Sequence, residues 1–159
     1  DLARVNLHMP MPPSSGDPWP GPGWSRGARY WTVSGQLLVE AGDAGGARGL
    51  FVLDTGATRS LVSENFVEQV DGAVVRGEGV VHGFGGVRPD SARVRGVGLR
   101  FQGLAGDAGD LGVDDLSLRS RLSGVEICGF IGLDILAGEI IRIDTLARQV
   151  FVKERRQKP

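Results

Sequence analysis

Residues 51–62 read FVLDTGATRSLV, and this stretch decides how the rest of the chain is interpreted. A short apolar run delivers one acidic residue, Asp54, and a Thr-Gly-Ala turn follows at once. A carboxylate at the end of a buried strand is destabilising unless it is hydrogen-bonded or shares a proton with a partner. The small residues after it let backbone N–H groups approach the carboxylate closely. The pattern therefore indicates a carboxylate that is kept for chemistry.

Two later segments strengthen this interpretation. Residues 80–87 read VVHGFGGV, in which glycines surround one aromatic residue, and residues 129–136 read GFIGLDIL, in which apolar residues lead into a glycine. Together with LDTGA at residues 53–57, and in this order, these segments resemble the retropepsin-like (retroviral-type, single-domain) aspartic proteases. They match the catalytic loop, the flap hairpin and the segment before the family's short helix. The resemblance covers roughly residues 30 to 152, and the Arg- and Gly-rich composition favours a bacterial member.

The resemblance implies both a fold and an activity. The fold is all-β, a closed β-barrel of the retropepsin-like acid protease type with one or two short helices and one lobe per chain. The activity is that of an aspartic endopeptidase, in which one ionised carboxyl takes a proton from water and a second, protonated carboxyl donates to the scissile carbonyl. The catalytic residues implied are Asp54, Thr55 and Gly56. No cofactor is needed, because the nucleophile is water.

The chain contains a single Asp-Thr-Gly sequence, although the chemistry needs two carboxyls. Asp134 follows Gly-Leu, and Asp144 is followed by Thr-Leu, so neither has the same turn chemistry. A two-lobed monomer also needs more than 159 residues. We therefore expect a homodimer in which Asp54 of each subunit meets the other across a two-fold axis. Asp134 is predicted to cap a helical turn, and Asp144 to bond the backbone of its own turn.

The substrate is expected to be an extended peptide or protein that lies between the catalytic loop and the flap. The residues that the resemblance assigns to substrate binding are Ala57, His82, Gly83, Phe84, Gly85 and Gly86. Apolar side chains next to the cut are expected to enter pockets lined by Leu53, Val81, Phe84 and Ile131.

Composition limits the class of protein. A hydrophobic content of 41% and 159 residues predict one globular core, and 26 glycines favour a turn-rich β protein. The net charge of −1 gives no reason to expect nucleic acid as a partner. The only cysteine, Cys128, is interpreted as a small buried hydrophobic residue rather than a reactive thiol. No apolar run is long enough for a membrane span. A signal or anchor upstream of Asp1 would make the protein periplasmic or membrane-attached; otherwise it is expected in the cytoplasm.

The chain divides into three regions. Residues 1–29 are rich in Pro and Gly and form either a linker, an arm that packs on the domain through Trp19 and Trp24, or a pro-segment over the cleft. Residues 30–153 form the protease domain, and residues 154–159 form a basic tail. Within the domain, strands are predicted over residues 30–39, 50–53, 74–81, 92–101 and 127–131, with a hairpin over residues 140–152. Gly35 allows a bend in the first of these strands. Short helices are predicted over residues 63–70 and 114–122, with Ser63 as the cap of the first, and a helical turn near residue 134.

Two other functions stay open at this point. A catalytically silent dimer of the same fold would bind peptides or serve assembly without cleaving them. A metal-dependent hydrolase would use the loop that carries Asp107, Asp110, Asp114 and Asp115. The spacing of these aspartates does not match a calcium-binding EF-hand loop, and the chain offers few His or Cys ligands, so no metal is expected.

Overall fold

The computed structural model describes residues 6–8, 21–83, 86–106 and 111–153, with only the backbone described for residues 6–8, 78–83 and 86–91. These parts of the chain are mostly β-sheet with three short helices, which confirms the all-β prediction. The strands, in chain order, are β1 (Asn6–His8), β2 (Ala28–Val33), β3 (Gln36–Gly42), β4 (Arg48–Leu53), β5 (Leu61–Ser63), β6 (Val74–Gly83), β7 (Gly86–Arg95), β8 (Arg100–Phe101), β9 (Leu104–Ala105), β10 (Leu111–Asp114), β11 (Gly129–Ile131), β12 (Ile140–Asp144) and β13 (Gln149–Val152). The helices are α1 (Glu64–Val67), α2 (Ser117–Ser123) and α3 (Leu133–Leu136).

The paired strands follow one path, β1-β12-β13-β2-β3-β4-β11-β5-β10-β7-β6, while β8 pairs with both β3 and β9. Within the described residues the two end strands, β1 and β6, do not pair with each other, so the path is open. Strand β11 lies between β4 and β5, which are consecutive along the chain. It runs parallel to β4 and antiparallel to β5. The loop after β4 must therefore pass over the end of β11.

The three helices form where the sequence predicts helical turns, although the expected total was one or two. Ser63 caps α1 as predicted: its backbone is extended, and its hydroxyl accepts a hydrogen bond from the Phe66 N–H at 3.1 Å. Helix α1 ends at Val67 rather than Val70, and the chain continues in turns. None of the helices in the described ranges combines the length and hydropathy that crossing a membrane requires.

Two strand predictions were wrong in their bounds. Residues 30–39 form a hairpin of β2 and β3 rather than one strand, because the chain reverses at Ser34 and Gly35, which have φ values of 50° and 76°. Glycine adopts such values readily, and the preceding serine tolerates them in a tight turn. The strand predicted over residues 92–101 ends at Arg95, because Gly96 has a φ of 88° and turns the chain away.

The core occupies both faces of β3, β4 and β11. In β4, Phe51 packs in the larger cluster, together with Phe66 in an edge-to-face contact at 5.1 Å, while Val52 packs in the smaller cluster on the other face. The smaller cluster consists of Leu38, Val52, Leu116, Ile127 and Phe130. A strand that is covered on both faces reads as a continuous apolar run, as residues 51–53 do. Asp54 therefore follows a strand whose residues Phe51 and Val52 are buried on opposite faces.

Part of the N-terminal region lies against the C-terminal hairpin. Ser25 exchanges two hydrogen bonds with Val152, from its N–H to the Val152 carbonyl at 2.8 Å and from the Val152 N–H to its hydroxyl at 3.0 Å. The Arg142 guanidinium lies 4.2 Å from the centre of the Trp24 ring, a cation–π contact. Trp24 is therefore fixed on the domain, whereas Trp19 lies outside the described residues.

Cys128 is a buried free thiol, as predicted. Burial raises the pKa of the Cys128 thiol, the charge of Glu126 raises it further, and a hydrogen bond from the Leu50 backbone opposes both. A raised pKa leaves less thiolate at neutral pH.

We expect Cys128 to react with a thiol reagent at least about tenfold more slowly in the folded protein than in denaturant. Stopped-flow labelling measures both rates, and equal rates would contradict this account.

Candidate functional site

The site is built around Asp54 at the end of β4. The Asp54 N–H donates to the Ile131 carbonyl at 3.0 Å, which continues the parallel ladder between β4 and β11 by one step. The Asp54 residue is half-buried, while Thr55 and Gly56 are exposed. The loop therefore has an inner side that is fixed to the sheet and an outer edge that faces solvent.

One oxygen of the Asp54 carboxylate is held by the loop itself. The Gly56 N–H donates to Asp54 Oδ1 at 2.8 Å, and the Ala57 N–H donates to the Asp54 carbonyl at 3.3 Å. A Cβ atom on residue 56 would lie 3.2 Å from the same carboxylate oxygen, a close contact that glycine avoids. Of the described residues, only Gly56 donates to this side chain. The second oxygen, Oδ2, thus accepts no hydrogen bond from them.

The loop is pressed onto Gly132, the residue after β11. The Leu133 N–H donates to the Ala57 carbonyl at 2.8 Å. A Cβ atom on residue 132 would lie 2.7 Å from the carbonyl carbon of Arg59 and 2.9 Å from the Ala57 oxygen, both backbone atoms. Only glycine therefore allows this approach, and the apolar-apolar-Gly segment noted in the sequence acts as the platform of the loop.

A second set of hydrogen bonds, which we call the clasp, joins Ser60 at the far end of the loop to Asp134 in α3. The sequence analysis did not predict it. Ser60 is buried, and its N–H donates to both carboxylate oxygens of Asp134 at 2.9 Å. The Ser60 hydroxyl donates to Asp134 Oδ1 at 2.6 Å and accepts from the Gly132 N–H at 2.9 Å. The prediction that Asp134 caps its helical turn was wrong, because the N-cap is Gly132 and the Asp134 carboxylate is directed to Ser60.

Asp134→Ala is expected to destabilise the protein by about 2–3 kcal/mol, because it leaves the buried N–H and hydroxyl of Ser60 without their charged acceptor. Asp134→Asn keeps an acceptor oxygen and should lose about half as much. Urea unfolding of both variants measures the difference. A loss under about 0.5 kcal/mol for Asp134→Ala would show that this clasp does not hold the loop.

The predicted flap coincides with the hairpin of β6 and β7. His82 is the partner of Val87, and Gly83 is the partner of Gly86, so the strands remain paired up to the expected tip. Phe84 and Gly85, which form that tip in the prediction, lie outside the described residues, as does the side chain of His82. The hairpin belongs to the same sheet as the Asp54 loop, through β5, β10 and β7.

The residues predicted to line apolar pockets differ in how deeply they are buried. Leu53 is half-buried and packs against the larger core cluster. Ile131 is fully buried within that cluster, so its assignment to a pocket was wrong; strand alternation turns it inward beside Phe51. The side chains of Val81 and Phe84 are not among those described.

Two of the remaining acidic candidates, Asp144 and Asp115, accept hydrogen bonds from nearby backbone groups. Asp144 accepts from the Leu146 and Ala147 N–H groups at 2.9 and 2.8 Å, as predicted for a turn aspartate. Asp115 accepts from the Ser117 N–H at 2.9 Å at the start of α2. Asp107 and Asp110 lie outside the described residues. Within the described part of the chain, no group of three His, Cys, Asp or Glu side chains could hold a metal ion.

Comparisons of the chain with protein-family models, with curated proteins and with solved structures gave no match.

Proposed function

We propose that this chain is a retropepsin-like aspartic endopeptidase that works as a homodimer, with one lobe per chain whose strands close into a barrel. The observation that carries the proposal is the Asp54 loop. It presents a half-buried carboxylate with one oxygen held at 2.8 Å by the Gly56 N–H, and Oδ2 accepts no hydrogen bond from the described residues. With Oδ1 held by the Gly56 N–H, the Asp54 carboxylate is oriented so that Oδ2 can take or give a proton.

The homodimer supplies the second carboxyl that the reaction needs. Two carboxyls at close range hold one proton between them, so one acts as base toward water and the other as acid toward the scissile carbonyl. The exposed edge of the loop, Thr55 and Gly56, is available for contact with a second copy of the loop. In this proposal Thr55 hydrogen-bonds across the two-fold axis, which sets the distance between the two Asp54 side chains.

The substrate in this proposal is an extended peptide. Ala57 leaves room for water beside the carboxyl pair, and Gly56 lets the peptide backbone come close. The β6–β7 hairpin, with His82 and residues 83–86, closes over the peptide through strand-like hydrogen bonds and excludes water. Apolar side chains on either side of the cut are the expected preference.

The proposal is tested by incubating the protein with a mixed peptide library between about pH 3 and pH 7 and identifying the products by mass spectrometry. Cleavage at defined bonds, preferentially between apolar residues, is expected. A protein that forms dimers but leaves the library intact would contradict the enzyme and favour the catalytically silent peptide-binding dimer instead.

Dilution separates the dimer from an active monomer. Activity per chain should fall once the protein concentration drops below the dimer dissociation constant, because a lone subunit holds one carboxyl of the pair. Initial rates over a dilution series, with sedimentation velocity at the same concentrations, measure both quantities. Constant activity per chain in samples that sedimentation shows to be monomeric would contradict the shared site.

A further inference from the structure

A cleft lies where the sheet divides between β2 and β8. Strand β3 pairs with β2 up to Val39, the partner of Tyr30, and pairs with β8 only at Gly42, the partner of Arg100. Strand β2 turns away at Arg29 to pair with β13. Within the described chain, Glu40 and Ala41 thus have no paired residue on this side of β3.

The cleft is open to solvent and has a volume of about 320 Å³. This is near the lower end of the range for sites that bind small molecules or a few residues of a peptide. Its lining comes from β2, β3, the start of β4 and the β8 turn, namely Ala28, Arg29, Trp31, Glu40, Ala41, Arg48, Arg100, Phe101 and Gln102. Among these residues Trp31 is a large aromatic side chain that is 39% exposed to solvent.

The charges around the cleft are unbalanced. Three arginines and one glutamate line it, and Arg48 is 3.6 Å from Glu40 in a solvent-exposed ion pair. Arg29 and Arg100 are exposed and form no ion pair with any described residue. Two guanidinium groups therefore line one opening without an ion-pair partner among the described residues, in a protein whose net charge is −1. Guanidinium groups pair with carboxylates through two parallel hydrogen bonds, which favours a ligand that carries carboxylates.

We infer that this cleft, defined by Arg29, Trp31 and Arg100, binds a short acidic peptide segment that carries an aromatic or apolar residue. The two guanidinium groups would pair with Asp or Glu side chains, and the Trp31 ring would pack against the apolar residue. The backbone of Glu40, which has no strand partner on this side of β3, would form hydrogen bonds with the peptide backbone. The inference does not depend on the reaction at Asp54.

An acidic peptide fits these features better than a nucleic acid. Nucleic-acid binding relies on many phosphate contacts spread along a basic surface. Here the positive charge is confined to one short cleft that also contains Glu40, and the chain as a whole is slightly acidic.

The test is fluorescence anisotropy with a labelled, glutamate-rich peptide that contains one tyrosine, measured on the full-length Asp54→Asn protein to prevent cleavage. Arg29→Ala combined with Arg100→Ala is expected to weaken binding at least about tenfold. The matched control, Arg76→Ala combined with Arg121→Ala, removes the same charge from exposed positions elsewhere and should change binding less than about twofold. Trp31→Phe should weaken binding about threefold, and added salt should weaken it further.

Three results would overturn the inference: equal binding by the Arg29/Arg100 double variant, equal binding of a peptide with glutamine in place of glutamate, or displacement of the peptide by a lower concentration of a single-stranded oligonucleotide. Thermal melts establish that each variant is folded, so a loss of binding is not mistaken for unfolding. The anisotropy experiment measures binding and not cleavage. Its result therefore stays interpretable even if the native protein proves to have no peptidase activity.

Discussion

Asp54→Asn is expected to lower kcat/KM for peptide hydrolysis by at least about 10³-fold while the protein stays folded. Asparagine keeps the shape and still accepts the hydrogen bond from the Gly56 N–H, which is 2.8 Å from Asp54 Oδ1. It cannot take or give the proton that activates water, so the loss falls on the chemical step rather than on the fold. Cleavage of a fluorogenic peptide measures kcat/KM, and circular dichroism with sedimentation measures fold and assembly.

The matched control is Asp144→Asn, the same chemical change in another turn. Asp144 accepts two backbone N–H groups, and asparagine can replace it in that role. This variant should keep activity within about twofold of the native protein. Hydrolysis that persists in Asp54→Asn at the level of Asp144→Asn would remove Asp54 from the mechanism.

Gly132→Ala is expected to destabilise the protein and to lower its activity about 10²-fold. The added Cβ would lie 2.7 Å from the carbonyl carbon of Arg59 and 2.8 Å from its oxygen. Because both are backbone atoms, the loop as a whole must shift, and Asp54 shifts with it. We expect a destabilisation of about 2–3 kcal/mol, measured by urea unfolding, and a parallel loss of hydrolysis.

Gly98→Ala serves as the control for Gly132→Ala. A Cβ at residue 98 meets no atom within 4 Å, and the backbone there does not have a positive φ. This variant should match the native protein in stability within about 0.5 kcal/mol. If the two alanine variants were equally stable and active, the contact between Gly132 and the loop would not position Asp54.

Local signals predicted the parts of the fold that depend on neighbours in sequence. Ser63 caps its helix, and Asp144 bonds its own turn, because each side chain reaches backbone groups only two or three residues away. The apolar run before Asp54 indicated a strand buried on both faces. Gly35 indicated a bend but not a complete reversal of the chain, because Ser-Gly is a weaker hairpin signal than Asn-Gly.

Long-range contacts could not be predicted in the same way. Ser60 and Asp134 are 74 residues apart, and their hydrogen bonds exist because β11 lies between β4 and β5. Neither residue has a pattern around it that specifies the other, so Asp134 was assigned to the nearest helical turn. The cleft at Arg29 and Arg100 likewise forms because β2 leaves β3 to pair with β13. No local sequence pattern predicts that pairing.

In the proposed dimer, two Asp54 side chains, one from each chain, form a single site. Mixing native and Asp54→Asn subunits in varied ratios, with time to exchange, tests it directly. If both carboxyls are needed, the total activity falls with the square of the native fraction, to about one quarter in an equal mixture. A linear fall to about one half, in samples shown to contain mixed dimers, would mean that each chain works alone and would contradict the shared site.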